Sequence, residues 1–400
     1  MIRRSIYIDK MKLYLEKPII KVLTGMRRVG KSTILNMFSH EICENDKEYV
    51  PLMINMESLE FSFIRDYNDL NLYVKEKFNG IKSKKILFID EIQEIQNWEK
   101  AISSFLSNGI ADIYITGSNA NLLSSELATL ISGRYIEIPV FPLTFKEFNQ
   151  FIENKNKDLD DNFVGFLRYG GLPGIHLFPL EDEPVFNYLN GIFNTVILKD
   201  VLIRNKIRDA AVLEKIVIYL FDNIGNITTS KSIANYFKSH RININTETVQ
   251  NYLNYLQSAF LLYKVPRYDI KGKKYLEFYD KVFIGDIGLR HGLLGYKEDD
   301  ISGLLENIVY LEFLSQGYKV TIGAINGLEI DFIAEKQNEI IYLQVCKNLS
   351  EESTIEREFG NLEKISNNHK KIVLSLEKFF PSNKNGIKHY YLPKFLMENS

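Results

Sequence analysis

Gly25-Met26-Arg27-Arg28-Val29-Gly30-Lys31-Ser32-Thr33 is the stretch from which the rest of the chain is read. It fits the phosphate-loop pattern G-x-x-x-x-G-K-[ST] at every required position. A triphosphate crowds negative charge into a small volume. Its site therefore needs backbone N–H groups that converge on the oxygens with no side chains in between. Gly25 and Gly30 permit that turn. Lys31 supplies a compact positive charge for the β- and γ-phosphates, the Ser32 hydroxyl is a magnesium ligand, and the helix starting at Thr33 adds its positive N-terminal end. Upstream, Pro18-Ile19-Ile20-Lys21-Val22-Leu23 reads as a short buried strand. Strand, loop and helix in that order separate a phosphate loop from a chance glycine turn.

Working outward, Ile86-Leu87-Phe88-Ile89-Asp90-Glu91 is the second decisive stretch. Four apolar residues ending in two carboxylates describe a strand buried on both faces, with its acids at the C-terminal edge where parallel sheets bind ligands. This looks like a Walker B motif. Asp90 is then a magnesium holder and Glu91 the group that polarises the attacking water. Taken alone, the two acids would read as the start of a helix over residues 92–105.

A further strand over residues 110–116 ends in Gly117-Ser118-Asn119. Two readings of this end stand side by side. Ser118 or Asn119 reaches the γ-phosphate or the lytic water, or Asn119 caps a helix over residues 120–132. After Gly133 comes Arg134 and a fifth strand, Tyr135-Ile136-Glu137-Ile138-Pro139. Arg134 is either a stabiliser of transition-state charge, in its own subunit or a neighbour's, or a salt-bridged surface residue.

The order of these motifs resembles a large prokaryotic family of AAA-superfamily ATP-binding proteins that carry a C-terminal domain of unknown function. The likeness runs on through Phe141-Pro142-Leu143-Thr144-Phe145, Tyr169-Gly170-Gly171-Leu172-Pro173, Lys199-Asp200-Val201-Leu202, Phe283-Ile284-Gly285-Asp286 and Glu329-Ile330-Asp331-Phe332. It implies an α/β fold: a P-loop AAA-type parallel sheet with a helical lid, then a winged helix and an α/β restriction-endonuclease-like domain. The expected boundaries are 1–150, 151–205, 206–296 and 297–400. The resemblance implies ATP and Mg²⁺ as cofactors. Nucleotide contacts are expected from Gly25, Arg27, Arg28, Val29, Gly30, Lys31, Ser32 and Thr33, metal ligands from Ser32 and Asp90, and catalysis from Lys31, Glu91, Asn119 and Arg134. It also strengthens the catalytic reading of Arg134.

In the middle of the chain, apolar residues at helical spacing over 211–221, 232–237 and 246–256, followed by strands near 260–265 and 274–283, describe three helices and a wing. The third helix exposes Glu247, Gln250, Asn251 and Asn254, and no cation. Phosphate contacts need cations. Lys238, His240 and Arg241 lie before it, and Lys264, Arg267, Lys271, Lys273 and Lys274 lie in the wing. Double-stranded DNA and a protein partner both stand as occupants of this module.

Near the C-terminus, a helix over 302–316 carries Glu306, and strands follow over 318–324, 328–335 and 340–345, with Asn326-Gly327 as a hairpin turn. Nucleases of the PD-(D/E)xK type set an acid on one strand and an acid-x-lysine on the next. The matching positions are Asp331 and Gln344-Val345-Cys346. Gln344 is neutral where a carboxylate would hold magnesium, and Cys346 stands in the lysine position. Lys347 is one residue late and so points to the opposite face of a strand. A catalytically inactive nuclease-like domain is expected, with an ATP-dependent nuclease as the alternative.

The formal net charge of −2 excludes a global basic field, so any nucleic-acid binding is local. The 45% hydrophobic content is that of an ordinary folded chain. Two cysteines, Cys43 and Cys346, form neither a disulfide framework nor a zinc spacing. With no signal-like start and no apolar run of about 18 residues, a cytoplasmic protein without a membrane partner is expected. The functional expectation is an ATPase that moves its appended domains on DNA, or a nucleotide-gated switch that docks another protein, as a monomer or homo-oligomer.

Overall fold

A computed structural model describes residues 2–123, 133–152, 158–207, 209–297 and 301–398. The chain divides into two compact units, Met1–Val140 with Ser258–Phe260, and Phe141–Gln257 with Leu261–Ser400.

The first unit opens with α1 (Ser5–Lys12) and β1 (Ile20–Thr24), followed by α2 (Lys31–Asn45), β2 (Tyr49–Asn55), α3 (Tyr67–Lys77), β3 (Lys84–Asp90), α4 (Trp98–Ser107), β4 (Asp112–Gly117) and β5 (Tyr135–Pro139). The strands form one five-stranded parallel sheet in the order β2-β3-β4-β1-β5. Every residue of β1 is buried, and so are Ile86 to Asp90 of β3. That burial explains their near-continuous apolar runs. Pro51 sits in the edge strand β2, where a missing ladder donor is tolerated. Lys21, fully buried in β1, bonds Asp112 and the Lys17 carbonyl and lies over the Tyr114 ring.

The helix expected over 92–105 is split: a 3-10 turn over Ile92–Glu94 precedes α4. Asn97 adopts φ 54°, a left-handed backbone that interrupts the helix. After β4 a 3-10 turn covers Ala120–Leu123. The rest of the helix expected over 120–132 lies outside the described residues.

The second unit contains α5 (Phe145–Phe151), α6 (Leu159–Tyr169), α7 (Asp182–Thr195), a π-helical segment (Val196–Ile203), α8 (Ala210–Asp222), β6 (Ile227–Thr228), α9 (Ser230–Ser239) and α10 (Thr246–Ser258). The chain continues as β7 (Leu262–Asp269), β8 (Lys274–Ile284), α11 (Ile287–Leu294), α12 (Ser302–Ser315), β9 (Lys319–Ile325), β10 (Leu328–Lys336) and β11 (Glu339–Cys346). It ends with α13 (Glu352–Glu363), β12 (Lys370–Ser375), β13 (Asn383–Lys384), β14 (Ile387–Tyr391) and α14 (Leu392–Glu398). All nine strands belong to one mixed sheet, β13-β14-β12-β11-β10-β9-β7-β8-β6. The parallel pairing of β7 with β9 carries this sheet across position 296/297. Asn326 and Gly327, with φ 50° and 81°, make the two-residue turn between β9 and β10. The α10 helix buries Val249, Tyr252, Leu253 and Leu256 on one face. No helix among the described residues is long and apolar enough to cross a membrane.

Candidate nucleotide site and a second charged cavity

Parallel pairing puts the C-terminal ends of β1, β3 and β4 on one edge of the five-stranded sheet. That edge gathers the loop after Thr24, Asp90 with Glu91, and Thr116 to Asn119. Gly25 has φ 146°, and a Cβ there would lie 2.2 Å from the Val140 carbonyl oxygen. Gly30, at φ 97°, precedes the first residue of α2. Arg28 also has a left-handed backbone and is exposed. The Arg27 guanidinium pairs with Glu57 at 2.8 Å. The carbonyl of buried Val29 accepts from Arg4 Nη1 at 2.9 Å. Arg4 is itself 4% exposed, so the segment before α1 buttresses the loop. Sequence reasoning assigned this region no role, because a lone arginine near a chain start carries no pattern.

Lys31 is buried. Its Nζ donates to the Gly25 and Met26 carbonyls at 2.9 and 3.1 Å and lies 3.6 Å from Glu91 Oε1. The Ser32 hydroxyl bonds to Asp90, and Thr33 is exposed on the first turn of α2. Asp90 Oδ1 also accepts from the Thr116 hydroxyl at 2.6 Å, while Thr116 Oγ1 accepts from Glu91 N at 2.9 Å. Burial pushes the Asp90 carboxyl up, against the Ser32 and Thr116 bonds. Burial alone would raise Glu91 as well. The Lys31 ammonium, the Arg27 guanidinium and donors from Gln93 and Ser118 together hold it below its ordinary value. Glu91 is therefore an ionised carboxylate facing a lysine, at the edge where a γ-phosphate would arrive.

The AAA domain profile matches residues 17–149, and a domain of unknown function, DUF8612, matches residues 160–300. An uncharacterized protein of Haemophilus influenzae is 36% identical over 403 aligned residues, covering 100% of this chain and 99% of its own. The chain belongs to the prokaryotic family of AAA-superfamily ATP-binding proteins with a C-terminal domain of unknown function. Another uncharacterized member, from Methanocaldococcus jannaschii, is 33% identical over 86% of this chain and 78% of its own. Among solved structures, the Aeropyrum pernix ORC1 protein in complex with DNA aligns at 11% identity and TM-score 0.35, over 73% of this chain and 92% of its own.

Within this AAA unit, Asn119 is buried and its carbonyl accepts from Leu122 N at 3.1 Å, opening the 3-10 turn. Its neighbour Ser118 is the one whose hydroxyl bonds Glu91. Arg134 is not brought to the loop. Its carbonyl accepts from Ile20 N at 3.0 Å, and Tyr135 pairs with Ile20 at the start of β1. The Lys31 loop follows the other end of that strand. Arg134 thus sits at the strand end opposite the Lys31 loop of its own chain, with its guanidinium 3.4 Å from the Ser107 hydroxyl.

In the second unit, the residues singled out near the C-terminus meet in a cavity of about 800 Å³. Asp331 Oδ2 accepts from Val345 N at 2.8 Å, and the Gln344 side chain bridges Asp331 N and Glu358. Lys281 of β8, its side chain 6% exposed, reaches Glu306 at 2.9 Å and Glu329 at 2.7 Å. Sequence reasoning gave Lys281 and Glu358 no role, because β8 and the α13 helix reach this cavity only in the folded unit, and it gave Glu329 none beyond its place in the stretch Glu329–Phe332. Lys347 is exposed, and the buried Cys346 thiol is pushed up to about 12 by burial. Among the described residues, no group of three or more His, Cys, Asp or Glu side chains is arranged to hold a metal ion.

Proposed function

We propose that this protein hydrolyses ATP at the loop of residues 25–33 and uses the cycle to reposition its second unit on a partner. One observation carries the reading: Lys31, Ser32, Asp90 and Glu91, from two separated segments, meet within hydrogen-bonding or ion-pairing reach at one sheet edge. The loop amides and Lys31 would hold the β- and γ-phosphates. The oxygen donors of Ser32 and Asp90 suit a hard cation, with Asp90 acting through water. Magnesium, when bound, supplies neutralisation of phosphate charge. Glu91 would orient and polarise a water in line with the γ-phosphorus. The new P–O bond forms as the bond to the bridging oxygen breaks, leaving ADP and phosphate. Ser118, through its bond to Glu91, would assist this step, and Asn119 beside it stays a candidate for the γ-phosphate or the water. Arg134 would act only on the site of a second copy.

For the partner, the exposed face of α10 favours protein over duplex DNA. Glu247, Gln250, Asn251 and Asn254 are exposed, Gln250 bonds Ser230 and Asn254, and no cation interrupts them. The cavity around Asp331 is best read as a nuclease-like scaffold without cleavage activity, since its lysine is already engaged by two carboxylates. The test is phosphate release by the full chain and by Lys31→Ala, with and without duplex DNA at low ionic strength. Equal rates in the two proteins would defeat the ATPase reading. Strong stimulation by DNA would replace the protein partner with a nucleic acid.

A further inference from the structure

Gln93 lies two residues beyond Glu91, in the 3-10 turn that follows β3. Glu91 has φ 54°, so the chain turns sharply off the strand and its carboxylate direction is fixed by a backbone that non-glycine residues seldom adopt. Three side chains then hold that carboxylate: Lys31 at 3.6 Å, the Gln93 amide, and the Ser118 hydroxyl. Gln93 Nε2 donates to Glu91 Oε2 and lies 3.5 Å from Ser118 Oγ, which ties the end of β3 to the end of β4. A carboxylate only accepts, so the amide must turn its NH₂ toward it. This leaves Gln93 Oε1 buried without a partner, close to where a Cβ on Gly117 would stand. The orphaned oxygen is the cost of pointing the donor at Glu91.

We propose that Gln93 is a positioning residue for ATP hydrolysis: its amide keeps the Glu91 carboxylate aimed once the phosphates have drawn Lys31 away. The proposal rests on the ATPase reading above. In this structure the Lys31 ammonium sits on the Gly25 and Met26 carbonyls, neutral oxygens that a triphosphate outcompetes. When Lys31 turns to the phosphates, Glu91 shares its nearest cation with a dense anion. Arg27 is shared with Glu57. Gln93 and Ser118 are then the neutral donors that hold the carboxylate in place, and Gln93 is the one that also contacts the other donor.

Gln93→Met keeps the length and bulk of the side chain and removes the donor, so it separates packing from hydrogen bonding. Steady-state ATP turnover of the full chain from pH 5.5 to 8.5, with ATP affinity measured by calorimetry, reads the effect. The expected result is kcat lower by about 10- to 100-fold, as for loss of a hydrogen bond to a charged group. KM and affinity stay within about two-fold. Gln93→Glu, which sets a second negative charge against Glu91, loses more. Wild-type kcat in Gln93→Met overturns the proposal, and so does lost ATP affinity, which would make Gln93 a binding or structural residue. If the wild type turns over no faster than Lys31→Ala, the ATPase reading itself has failed and the proposal falls with it. A wild-type-like Gln93→Met beside an inactive Lys31→Ala isolates the failure to Gln93.

Discussion

Lys31 and Lys281, buried lysines in different units, face carboxylates in opposite ways. Lys31 donates to two backbone carbonyls, with Glu91 at 3.6 Å. Lys281 donates to Glu306 and Glu329 at 2.9 and 2.7 Å, beside Asp331. A carbonyl is a dipole that a phosphate oxygen displaces readily; a carboxylate carries as much charge as the phosphate oxygen that would compete with it. Lys31 is therefore poised to change partners, whereas Lys281 is already neutralised in place. Burial and charge alone do not separate a binding lysine from a structural one. The nature of its resting partners does.

The largest expected effects fall on the poised site. Lys31→Ala should lower ATP turnover by about 100-fold or more, by analogy with removal of one preorganised charge-stabilising donor, and weaken nucleotide binding measured by calorimetry. Glu91→Gln should keep ATP bound while turnover falls by about 100- to 10,000-fold, the usual contribution of a general base. Normal turnover in Glu91→Gln would remove this carboxylate from the mechanism and leave Lys31 as a binding residue only.

The neutralised lysine should answer through stability. Lys281→Met leaves Glu306 and Glu329 uncompensated in a buried setting, at a cost of about 3–5 kcal/mol to the second unit. Trp98, the one tryptophan, lies in the first unit. Its fluorescence should follow an unchanged transition while far-UV circular dichroism shows the second unit unfolding at lower denaturant. If Lys281→Met is as stable as the wild type, the contrast between the two lysines is gone.

The pH dependence of the second unit follows from its surplus of buried acids. Burial raises Asp331, and neighbouring Glu306 raises it further; Glu306 and Glu358 are raised chiefly by burial. A carboxyl whose folded pKa exceeds its unfolded value near 4 binds more protons in the folded state. Its stabilisation is complete below that unfolded value and is lost as pH rises through the folded pKa. Lys281 is pushed upward, so it stays charged across this window. The circular-dichroism transition should therefore move to lower denaturant from pH 5 to pH 8, and Asp331→Asn should flatten that slope. In the first unit, Asp90 is raised and Glu91 lowered, so the Trp98 transition should depend on pH more weakly.

The two sites also differed in how far they could be read from the sequence. The phosphate loop and the β3 acids are local patterns, each set by a few consecutive residues, and Lys31, Ser32, Asp90 and Glu91 were all legible. Gln93 was not, because its role depends on the left-handed turn at Glu91. In the second unit Glu306, Asp331 and Gln344 were singled out by resemblance to the PD-(D/E)xK nuclease pattern. Lys281 lies far upstream of Asp331 in the chain, and the β7 to β9 pairing brings its strand into the same sheet. No spacing rule encodes that pairing. Arg134 was read as preceding the fifth strand, as it does, and in a parallel sheet that position lies at the edge opposite the loop.

The smallest expected effect concerns that arginine. Arg134 precedes β5, at the edge of the sheet opposite the loop, so Arg134→Ala should leave ATP affinity within about two-fold of the wild type. Turnover measured across a wide range of protein concentration gives the sharper reading. A rate per chain that is independent of concentration and unaltered by the substitution confines catalysis to one chain's own residues. A wild-type rate that climbs with concentration, and a variant rate that does not, would assign Arg134 to the site of a second copy, where a guanidinium stabilises the charge developing on the transferred phosphoryl group. The poised site would then draw a cation from a second chain, and the contrast with self-contained Lys281 would widen.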